Sequence, residues 1–381
     1  MGVEITDATK EEIEYLSNAD AIPNEILRFL GHDISRQVDV NLYATSSVQN
    51  GNRILDRLHA NPDNTEIGDY MGYYIQLDLT QSSTSWSTLI MSRLDLLTEP
   101  WIFVWISLTH VPATIRALVA TKDYGTLFSP SGFREALFGI FWETIGPQIK
   151  AGNEERVVAL LEGRISGGRI HDKAIGASIH GTVLEVGAGS GNWADVLARF
   201  RGGVDAAGSL RNRKNAGSGI TKIYGVEPNP ISAKALQKRV NEVGLQDIYQ
   251  VVPVGIEFVD DPTAWDGKIE PGSVDCIVGI MCMCSIPEPE KNIQLLYKLL
   301  KPGGHWFVYE HVKVSRGNSL LRFYQWFCNI PWSVFMGSCR LCRDTETTLR
   351  ATGAWQEIDL AQSPDHTGYE VIPTIIGTLR K

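Results

Sequence analysis

Three glycines at alternate positions follow an apolar stretch near the middle of the chain. The sequence there runs Thr182-Val-Leu-Glu-Val-Gly-Ala-Gly-Ser-Gly-Asn192. Glycine lacks the side chain that hinders a sharp turn or a close approach to a ligand, and a helix that begins after such a turn has unpaired N–H groups. This pattern is typical of a strand-to-helix turn that binds a nucleotide-like cofactor, although a glycine turn without a ligand is the simpler alternative.

The glycine spacing and a neighbouring acid distinguish between two kinds of cofactor. The dinucleotide fingerprint G-x-G-x-x-G places its third glycine one position later, where this chain has Asn192. Glu185, which comes just before the glycines, would suit the amino group of S-adenosylmethionine better than a phosphate anion. The loop therefore favours a sulfonium cofactor over a pyrophosphate.

A second acid ends the next apolar run, Ile223-Tyr-Gly-Val-Glu-Pro-Asn229. An acid at the end of such a strand accepts hydrogen bonds from both ribose hydroxyls of a bound nucleoside. Glu227 is the candidate for this contact, which makes the alternative of an empty glycine turn much weaker.

The elements that would position these residues alternate along the chain. Residues 273–280 and 305–310 are predicted to be strands, with a helix over 290–300 that ends at Lys301-Pro-Gly-Gly304. Upstream, helices are predicted over residues 133–149, ending near Gly146-Pro147, and over 154–162. This order predicts an α/β fold with a doubly wound parallel sheet and a ligand at the carboxyl ends of its strands.

Taken together, these motifs resemble those of the class I S-adenosylmethionine-dependent methyltransferases over residues 138–381. The resemblance implies a Rossmann-like sheet of seven strands whose last strand is antiparallel, with segments 355–360 and 375–380 as the final pair. Within the class, the similarity is greatest to the membrane-associated thiol methyltransferases, which have a small-molecule methyltransferase type 11 domain. The motifs on which this similarity rests are Gly272-Ser-Val-Asp275, Cys284-Ser285, Leu300-Lys-Pro-Gly-Gly304, Glu310-His-Val312 and Cys339-Arg-Leu-Cys-Arg343.

The resemblance also assigns site residues. Those expected to bind the cofactor are Glu185, Gly187, Ala188, Gly189, Gly191, Asn192, Glu227, Pro228, Gly255, Ile256, Glu257, Gly279 and Ile280. Those expected to contact the substrate are Trp142, Cys284, Tyr324 and Trp326. The last two belong to an aromatic insertion over residues 320–335, which would form a lid over an apolar molecule or would simply pack on the sheet.

Methyl transfer requires a nucleophile in line behind the methyl group and, for a protonated nucleophile, a base. His311 follows Glu310 at the end of the fifth predicted strand, which would place it opposite the substrate. We expect His311 to be this base, the alternative being that it only orients the loop. His305, at the far end of the same strand, is expected to be structural.

The expected reaction is methylation of a thiol or hydroxyl on an apolar small molecule such as a secondary metabolite. A thiol, with an ordinary pKa of about 8.5, needs little help to lose its proton. The alternative function is a methyltransferase fold that binds the cofactor but catalyses a non-methylating rearrangement or serves as a scaffold.

The N-terminal third carries no chemical motif. Residues 1–132 are expected to form a mainly helical extension that caps the site, contacts a membrane or mediates homo-oligomerisation, and residues 133–381 to form the methyltransferase domain. Within the extension, residues 89–119 are apolar and aromatic, and Glu99 and His110 leave too few apolar residues between them for a bilayer crossing. The stretch is expected either to be a buried helix or to make peripheral membrane contact.

Charge and cysteine usage limit the remaining partners. A net charge of −9 argues against a nucleic-acid partner, because such binding normally needs a basic surface. Cys339 and Cys342 form the only C-x-x-C, without a second pair at zinc spacing, so no metal is expected. The polar start, Met1–Lys10, does not resemble a secretory signal, which predicts a cytoplasmic protein. If residues 89–119 bind a membrane, the protein is expected to be peripheral to an internal membrane.

Overall fold

The computed structural model describes residues 86–202, 219–315 and 319–381. Residues 1–80 and the basic cluster Arg211–Lys214 lie outside the described residues, as does most of the insertion around residues 201–219. The helices are α1 Trp86–Thr109, α2 Val111–Ala120, α3 Tyr124–Phe128, α4 Pro130–Leu161, α5 Ala194–Ala198, α6 Pro230–Glu242, α7 Pro289–Leu299, α8 Ser319–Phe335 and α9 Thr345–Ala351. The strands are β1 Ile165–Ser166, β2 Arg169–Ile170, β3 Gly181–Val186, β4 Ile220–Val226, β5 Tyr249–Val252, β6 Val274–Ile280, β7 Leu300–His311, β8 Glu357–Gln362 and β9 Thr374–Arg380.

The main sheet has seven strands in the order β5-β4-β3-β6-β7-β9-β8. Strands β5, β4, β3, β6 and β7 pair in parallel, whereas β9 runs antiparallel between β7 and β8. The order reverses at β3, so the glycine loop that follows β3 lies at the switch point where doubly wound sheets bind ligands. This confirms the predicted fold class, including the single antiparallel strand.

The central strands are apolar because helices cover both of their faces. On one face, Leu184, Ile277 and Trp306 pack in a core that includes buried residues of α7 and α9. On the other face, Val183 and Phe307 pack with buried residues of α4, α5 and α6. Burial on both faces fixes the strands, and with them the positions of their carboxyl ends.

The structure corrects the two helices predicted before the glycine loop, because α4 continues through Pro147 as one helix. Proline removes only one hydrogen bond of the helix. The flanking turns bury Phe141 and Ile145 on one side of it and Val157 and Leu160 on the other, which outweighs that loss. The continuous helix therefore links the residues beside the glycine loop to the core of the sheet.

The apolar stretch near residue 100 lies in α1 and α2. Glu99 lies within α1, and the stretch Leu94–Ala120 is long and apolar enough to cross a membrane by length and composition, with 33% of the apolar window buried. α1 packs against α8: Trp101 Nε1 donates to the Tyr324 hydroxyl at 2.9 Å, which donates to the Leu97 carbonyl at 2.9 Å. The predicted division of the chain at residues 132/133 stays a prediction.

Gly377 shows how tightly β9 is held between its neighbours, and it yields a stability test. Its φ is +149°, and a Cβ atom there would overlap the Asp359 carbonyl oxygen of β8. Because strain and overpacking add, we expect Gly377→Ala to lower the free energy of unfolding by about 2–5 kcal/mol. The measurement is the midpoint of urea unfolding, monitored by circular dichroism.

Gly139 provides the matched control, since a Cβ atom there would meet nothing within 4 Å and the residue lies within α4. Gly139→Ala should leave stability unchanged or raise it by up to about 1 kcal/mol. Equal midpoints for the two variants would contradict the proposed packing of β9.

Candidate functional site

The three glycines of the loop after β3 have positive φ angles of +64°, +55° and +85° at Gly187, Gly189 and Gly191. A Cβ atom on Gly187 would lie 2.5 Å from Cys282 Cβ, so this glycine is needed for packing. In contrast, a Cβ atom on Gly189 would have Trp142 Nε1, at 3.9 Å, as its nearest neighbour. Gly189 therefore borders open space, with Trp142 beside it.

Glu227, at the end of β4, is tied to this loop. One carboxylate oxygen accepts from the Gly189 N–H at 2.9 Å and the other from the Asn229 N–H at 2.9 Å. Burial raises the pKa of Glu227, which the two N–H donors oppose. A carboxylate has about four acceptor positions, so the two oxygens retain capacity for the two ribose hydroxyls.

Glu185 has a partner within the protein. Its carboxylate accepts a hydrogen bond from the Tyr249 hydroxyl at 2.5 Å. Gly225, on the strand between them, leaves the space that the Tyr249 ring occupies. Burial raises the pKa of Glu185 to about 7, although the Tyr249 hydrogen bond lowers it. The expectation that Glu185 faces the cofactor's amino group stays a prediction, and one of its oxygens is already engaged.

The adenine side of the predicted site follows β5. Ile256 is buried in the core and begins a short 3₁₀ helix, Ile256–Phe258. Glu257 has a buried carboxylate oxygen, Oε2, that lacks a hydrogen-bond partner among the described residues. Because a buried acceptor without a donor is costly, this oxygen would gain from a ligand donor such as an amino group.

The remaining cofactor residues lie around these. The Ala188 N–H donates to the Val226 carbonyl at 3.0 Å, and Pro228 separates Glu227 from Asn229. The Asn192 amide lies against Gly146 of α4, where a Cβ atom would be 2.5 Å from it. Gly279 and Ile280 end β6, the strand next to β3.

A buried carboxylate holds the turn after β6. Glu310 Oε1 accepts from the backbone N–H groups of Cys282 and Met283, both at 3.0 Å. Met281 at the start of this turn has a φ of +52°, which is uncommon for a residue other than glycine and is often found at functional sites. Since Cys282 packs against Gly187, the same turn contacts the glycine loop.

Beyond this turn, Cys284, His311 and Cys339 converge. His311 Nε2 lies 3.2 Å from Cys339 Sγ, and Cys339 Sγ lies 3.3 Å from Cys284 Sγ. All three side chains are buried. Trp332 Nε1 on α8 also donates to Cys339 Sγ at 3.3 Å. We call Cys284, His311 and Cys339 the sulfur–imidazole cluster.

The cluster polarises its members in opposite senses. Hydrogen bonds from Cys284 and Trp332 lower the pKa of the Cys339 thiol, against the effect of burial. Burial alone would lower the pKa of His311, but the neighbouring Cys284, Glu310 and Glu99 raise it above its ordinary value. These shifts place a more acidic thiol, Cys339, beside a more basic ring, His311.

The sequence-predicted substrate residues separate into two groups. Trp142 lies beside Gly189, and Cys284 belongs to the cluster. Tyr324 is hydrogen-bonded between α8 and α1, and Trp326 is exposed beside Phe323, so these two are placed by the outer helices. Their substrate contacts stay predictions. Sequence reasoning missed Cys339 and Trp332 as members of the site, because the only signal there, C-x-x-C, pairs Cys339 with the wrong residue, Cys342.

The residues present fit S-adenosylmethionine, the cofactor that the resemblance implies. Gly189 borders open space, Glu227 keeps free acceptor positions, and Glu257 has an unpaired buried oxygen. These features lie at the carboxyl ends of β3, β4 and β5, where such a fold binds its cofactor. The donor site and the cluster share one edge of the sheet.

Comparisons with known proteins agree with this geometry. A family model described as "Methyltransferase domain" matches residues 160–353. Thiol S-methyltransferase TMT1B of Rattus norvegicus is 30% identical over 142 residues, which are 37% of this chain and 51% of that protein. Sterol methyltransferase-like 1 of Botryococcus braunii is 28% identical over 130 residues, covering 34% of this chain and 27% of that protein. The chain thus spans about half the length of the first of these relatives.

Among solved structures, a geranyl diphosphate methyltransferase in complex with S-adenosylmethionine matches with a TM-score of 0.39 and 13% identity, over 68% of this chain and 94% of that chain. The [4+2]-cyclase SpnF matches with a TM-score of 0.37 and 19% identity, over 60% of this chain and 81% of that chain.

The raised pKa of Glu185 makes stability depend on pH. Below about pH 4.5 the carboxyl is protonated in both states, whereas between about 4.5 and 7 only the folded state keeps the proton, so folding loses stability as pH rises. With a folded pKa of about 7, this loss is of order 3 kcal/mol. Glu185→Gln should remove it, because glutamine accepts the Tyr249 hydrogen bond without ionising.

The measurement is the urea midpoint of both proteins from pH 5 to pH 8. We expect the variant to match the original protein near pH 5 and to exceed it near pH 8, while Glu242→Gln, an exposed position on α6, follows the original protein throughout. Parallel pH profiles for Glu185→Gln and the original protein would contradict the assigned cause.

Proposed function

The chain belongs to the methyltransferase domain family, and from this premise we propose that it transfers the methyl group of S-adenosylmethionine to the sulfur of an apolar small-molecule thiol. The observation that carries the donor half is the Glu227 carboxylate bound to the Gly189 N–H beside open space. The acceptor half is supported by the sulfur–imidazole cluster and by the similarity to thiol S-methyltransferases.

Each part of the site has a task in this reaction. S-adenosylmethionine supplies an electrophilic methyl group. Gly189 lets the backbone approach it, Glu227 orients its ribose, and Trp142 shields the loop from water. The acceptor's thiol loses its proton at the sulfur–imidazole cluster. The sulfur–methyl bond to the acceptor then forms as the bond to the sulfonium breaks.

A thiol fits this cluster better than a hydroxyl. An ordinary thiol has a pKa of about 8.5, whereas a phenol has one of about 10 and an alcohol a still higher one. Proton transfer is most efficient when the pKa values of donor and acceptor are close. A thiol therefore needs less help than a hydroxyl to lose its proton at the cluster. The hydroxyl alternative is an outcome of the test below.

A non-methylating rearrangement or a scaffold role is not favoured. Gly189, Glu227 and the unpaired Glu257 oxygen together form a complete set of contacts for the donor. A protein that no longer used the cofactor would have no physical need to keep a buried acceptor without a partner.

To test the donor site, S-adenosylhomocysteine binding is measured by calorimetry with the full chain. Glu227→Ala removes charged hydrogen bonds worth roughly 1.5–3 kcal/mol, so we expect the dissociation constant to rise about tenfold to a hundredfold. Glu242→Ala, on the exposed end of α6, is the control and should bind normally. Absence of binding in the original protein would remove the enzymatic interpretation.

To test the acceptor, the full chain is incubated with methyl-labelled S-adenosylmethionine and a panel of apolar thiols, phenols, amines and carboxylic acids. We expect label in the thiols, with turnover lost in Glu227→Ala and kept in Glu242→Ala. If only the phenols become labelled, the acceptor atom is oxygen rather than sulfur.

We further propose that the protein reaches its acceptor at a membrane surface. The outer faces of α1 and α8 expose large apolar side chains, among them Trp105 at 67%, Leu320 at 72% and Phe323 at 60%. Tyr324 joins the two helices, so these side chains belong to one rigid surface. Such an exposed apolar patch is typical of a surface that binds at the membrane–water interface, where aromatic rings enter the headgroup region.

Liposome flotation tests this contact. We expect the full chain to float with vesicles, and Trp105→Ser with Phe323→Ser to reduce the bound fraction several-fold, because each exposed ring contributes buried apolar area. Ile231→Ser is the control, since Ile231 is 61% exposed on α6, away from these helices. If the double variant floats equally but loses concentration-dependent self-association, the surface is instead an interface between copies of this chain.

A further inference from the structure

The sulfur–imidazole cluster has the composition of a metal site. Two cysteine sulfurs and one histidine nitrogen lie within 4.8 Å of one another, and all three residues are buried. Thiolate and imidazole are the ligands that zinc prefers in proteins. The ligands come from three separate elements: the turn after β6, the end of β7 and the loop after α8. A cluster assembled from three elements is held by the fold as a whole.

We propose that Cys284 Sγ, His311 Nε2 and Cys339 Sγ bind one zinc ion whose fourth position receives the acceptor thiol. This proposal rests on the proposed function, because it identifies how the thiol is held and activated. A site with three protein ligands is the form that catalytic zinc takes, whereas structural zinc has four. Among the described residues, no fourth histidine, cysteine or carboxylate joins the group.

The distances are close to those that zinc requires. Tetrahedral bonds of about 2.3 Å to sulfur and 2.0–2.1 Å to nitrogen place two sulfurs ~3.8 Å apart and sulfur and nitrogen ~3.6 Å apart. The cluster has 3.3 Å between the two sulfurs and 3.2 Å between His311 Nε2 and Cys339 Sγ. These two pairs need to open by roughly half an ångström, and the third pair, His311 and Cys284, lies within 4.8 Å.

The surroundings orient the ligands as in a built metal site. Trp332 Nε1 donates to Cys339 Sγ, and the side chain of Arg343 donates to the carbonyls of Cys284 and Ile286 at 3.2 and 2.8 Å. The backbone N–H of Arg340 donates to the same Cys284 carbonyl at 3.1 Å. Mutation of residues that hold metal ligands in place typically lowers metal affinity by roughly 10- to 100-fold.

Charge balance favours a dipositive ion in this buried position. Two thiolates and a neutral imidazole offset the charge of Zn²⁺, so the site is neutral before the acceptor binds and carries one negative charge with the acceptor thiolate bound. His311 would then be a ligand rather than a base. Its other ring nitrogen, Nδ1, would carry the proton in the zinc-bound ring and is buried without a hydrogen-bond partner among the described residues, whereas most zinc-bound histidines donate this proton to a neighbouring acceptor.

The reaction step balances with this ion. Coordination lowers the pKa of the acceptor thiol, which releases its proton to solvent as it binds. The resulting thiolate attacks the methyl carbon, a sulfur–carbon bond forms, and the sulfonium sulfur takes the electrons of the bond that breaks. The products are a neutral thioether and S-adenosylhomocysteine. A thioether is a weaker ligand than a thiolate, so it leaves the zinc.

The position relative to the donor supports this role. Cys284 comes two residues after Cys282, which packs against Gly187 of the glycine loop. Glu310, next to His311, holds the backbone of the same turn. The cluster is thus joined through one short turn to the loop that binds the donor.

The first test measures metal in the full chain, purified under reducing conditions without chelator. Elemental analysis should find about one zinc per chain in the original protein. Cys339→Ser should lower the content below about a tenth of that value, because zinc affinity depends on thiolate ligands. Cys342→Ser is the matched control, since Cys342 completes the C-x-x-C but lies outside the cluster, and it should keep its zinc.

A second measurement does not depend on variants that fold poorly. The original protein, stripped and reloaded with Co²⁺, should show sulfur-to-cobalt charge-transfer absorption. His311→Cys should restore metal binding that His311→Ala loses, which a merely structural role for His311 would not produce. Absence of both zinc and the cobalt spectrum in folded original protein would overturn the site.

The experiments distinguish failure of the proposed methyl transfer from failure of the proposed zinc site. S-adenosylhomocysteine binding, measured on the same samples, should change less than about twofold on zinc removal, while thiol turnover falls roughly a hundredfold. Zinc binding with no methylation of any thiol would remove the proposed function and its acceptor position. Full thiol turnover in zinc-free protein would remove the zinc and leave His311 as the base.

Discussion

The buried carboxylate of Glu310 is the interaction on which the site depends most. It accepts two backbone N–H groups of the turn after β6, at Cys282 and Met283. This turn begins with a strained Met281 and has no regular secondary structure to hold it, so charge-assisted hydrogen bonds must do so. Through it, the glycine loop and the sulfur–imidazole cluster keep a fixed relation. Loss of this carboxylate would release both halves of the site at once.

Glu310 on β7 is one of three buried acids near the carboxyl ends of the parallel strands, together with Glu185 on β3 and Glu227 after β4. Burial raises the pKa of each of them, which means that ionising these carboxyl groups in the folded protein costs free energy. A cationic ligand changes this balance, because an opposite charge nearby favours the ionised form of a carboxyl. A sulfonium donor would thus relieve a cost that the fold imposes, whereas a pyrophosphate would add to it. The choice of cofactor follows from charge as well as from the spacing of the glycines.

The sequence predicted what depends on local pattern. The parallel strands and the glycine loop follow from apolar runs, turn residues and chain order, the resemblance implied the antiparallel strand, and the sheet confirms both. It did not predict that α4 passes through Pro147, because tertiary burial outweighed one missing hydrogen bond. It also missed the partnership of Cys339 with Cys284, which lie 55 residues apart. No spacing rule connects two such cysteines, since only the meeting of the β6 turn with the loop after α8 brings them together.

Helix α8 connects the chemistry to the outer surface. Its inner side supplies Trp332 to Cys339 and the buried Gln325 to the backbone of Val314, whereas its outer side exposes Phe323. α1, which lies before the residues matched by the family model, packs on this same helix through Trp101. α1 therefore adds a layer on the outer side of α8, outside the residues that the family model matches. Trp332 and Phe323 lie on the same helix, with Pro331 between them, so a change on the outer surface that shifts the second half of α8 would reach the sulfur of Cys339.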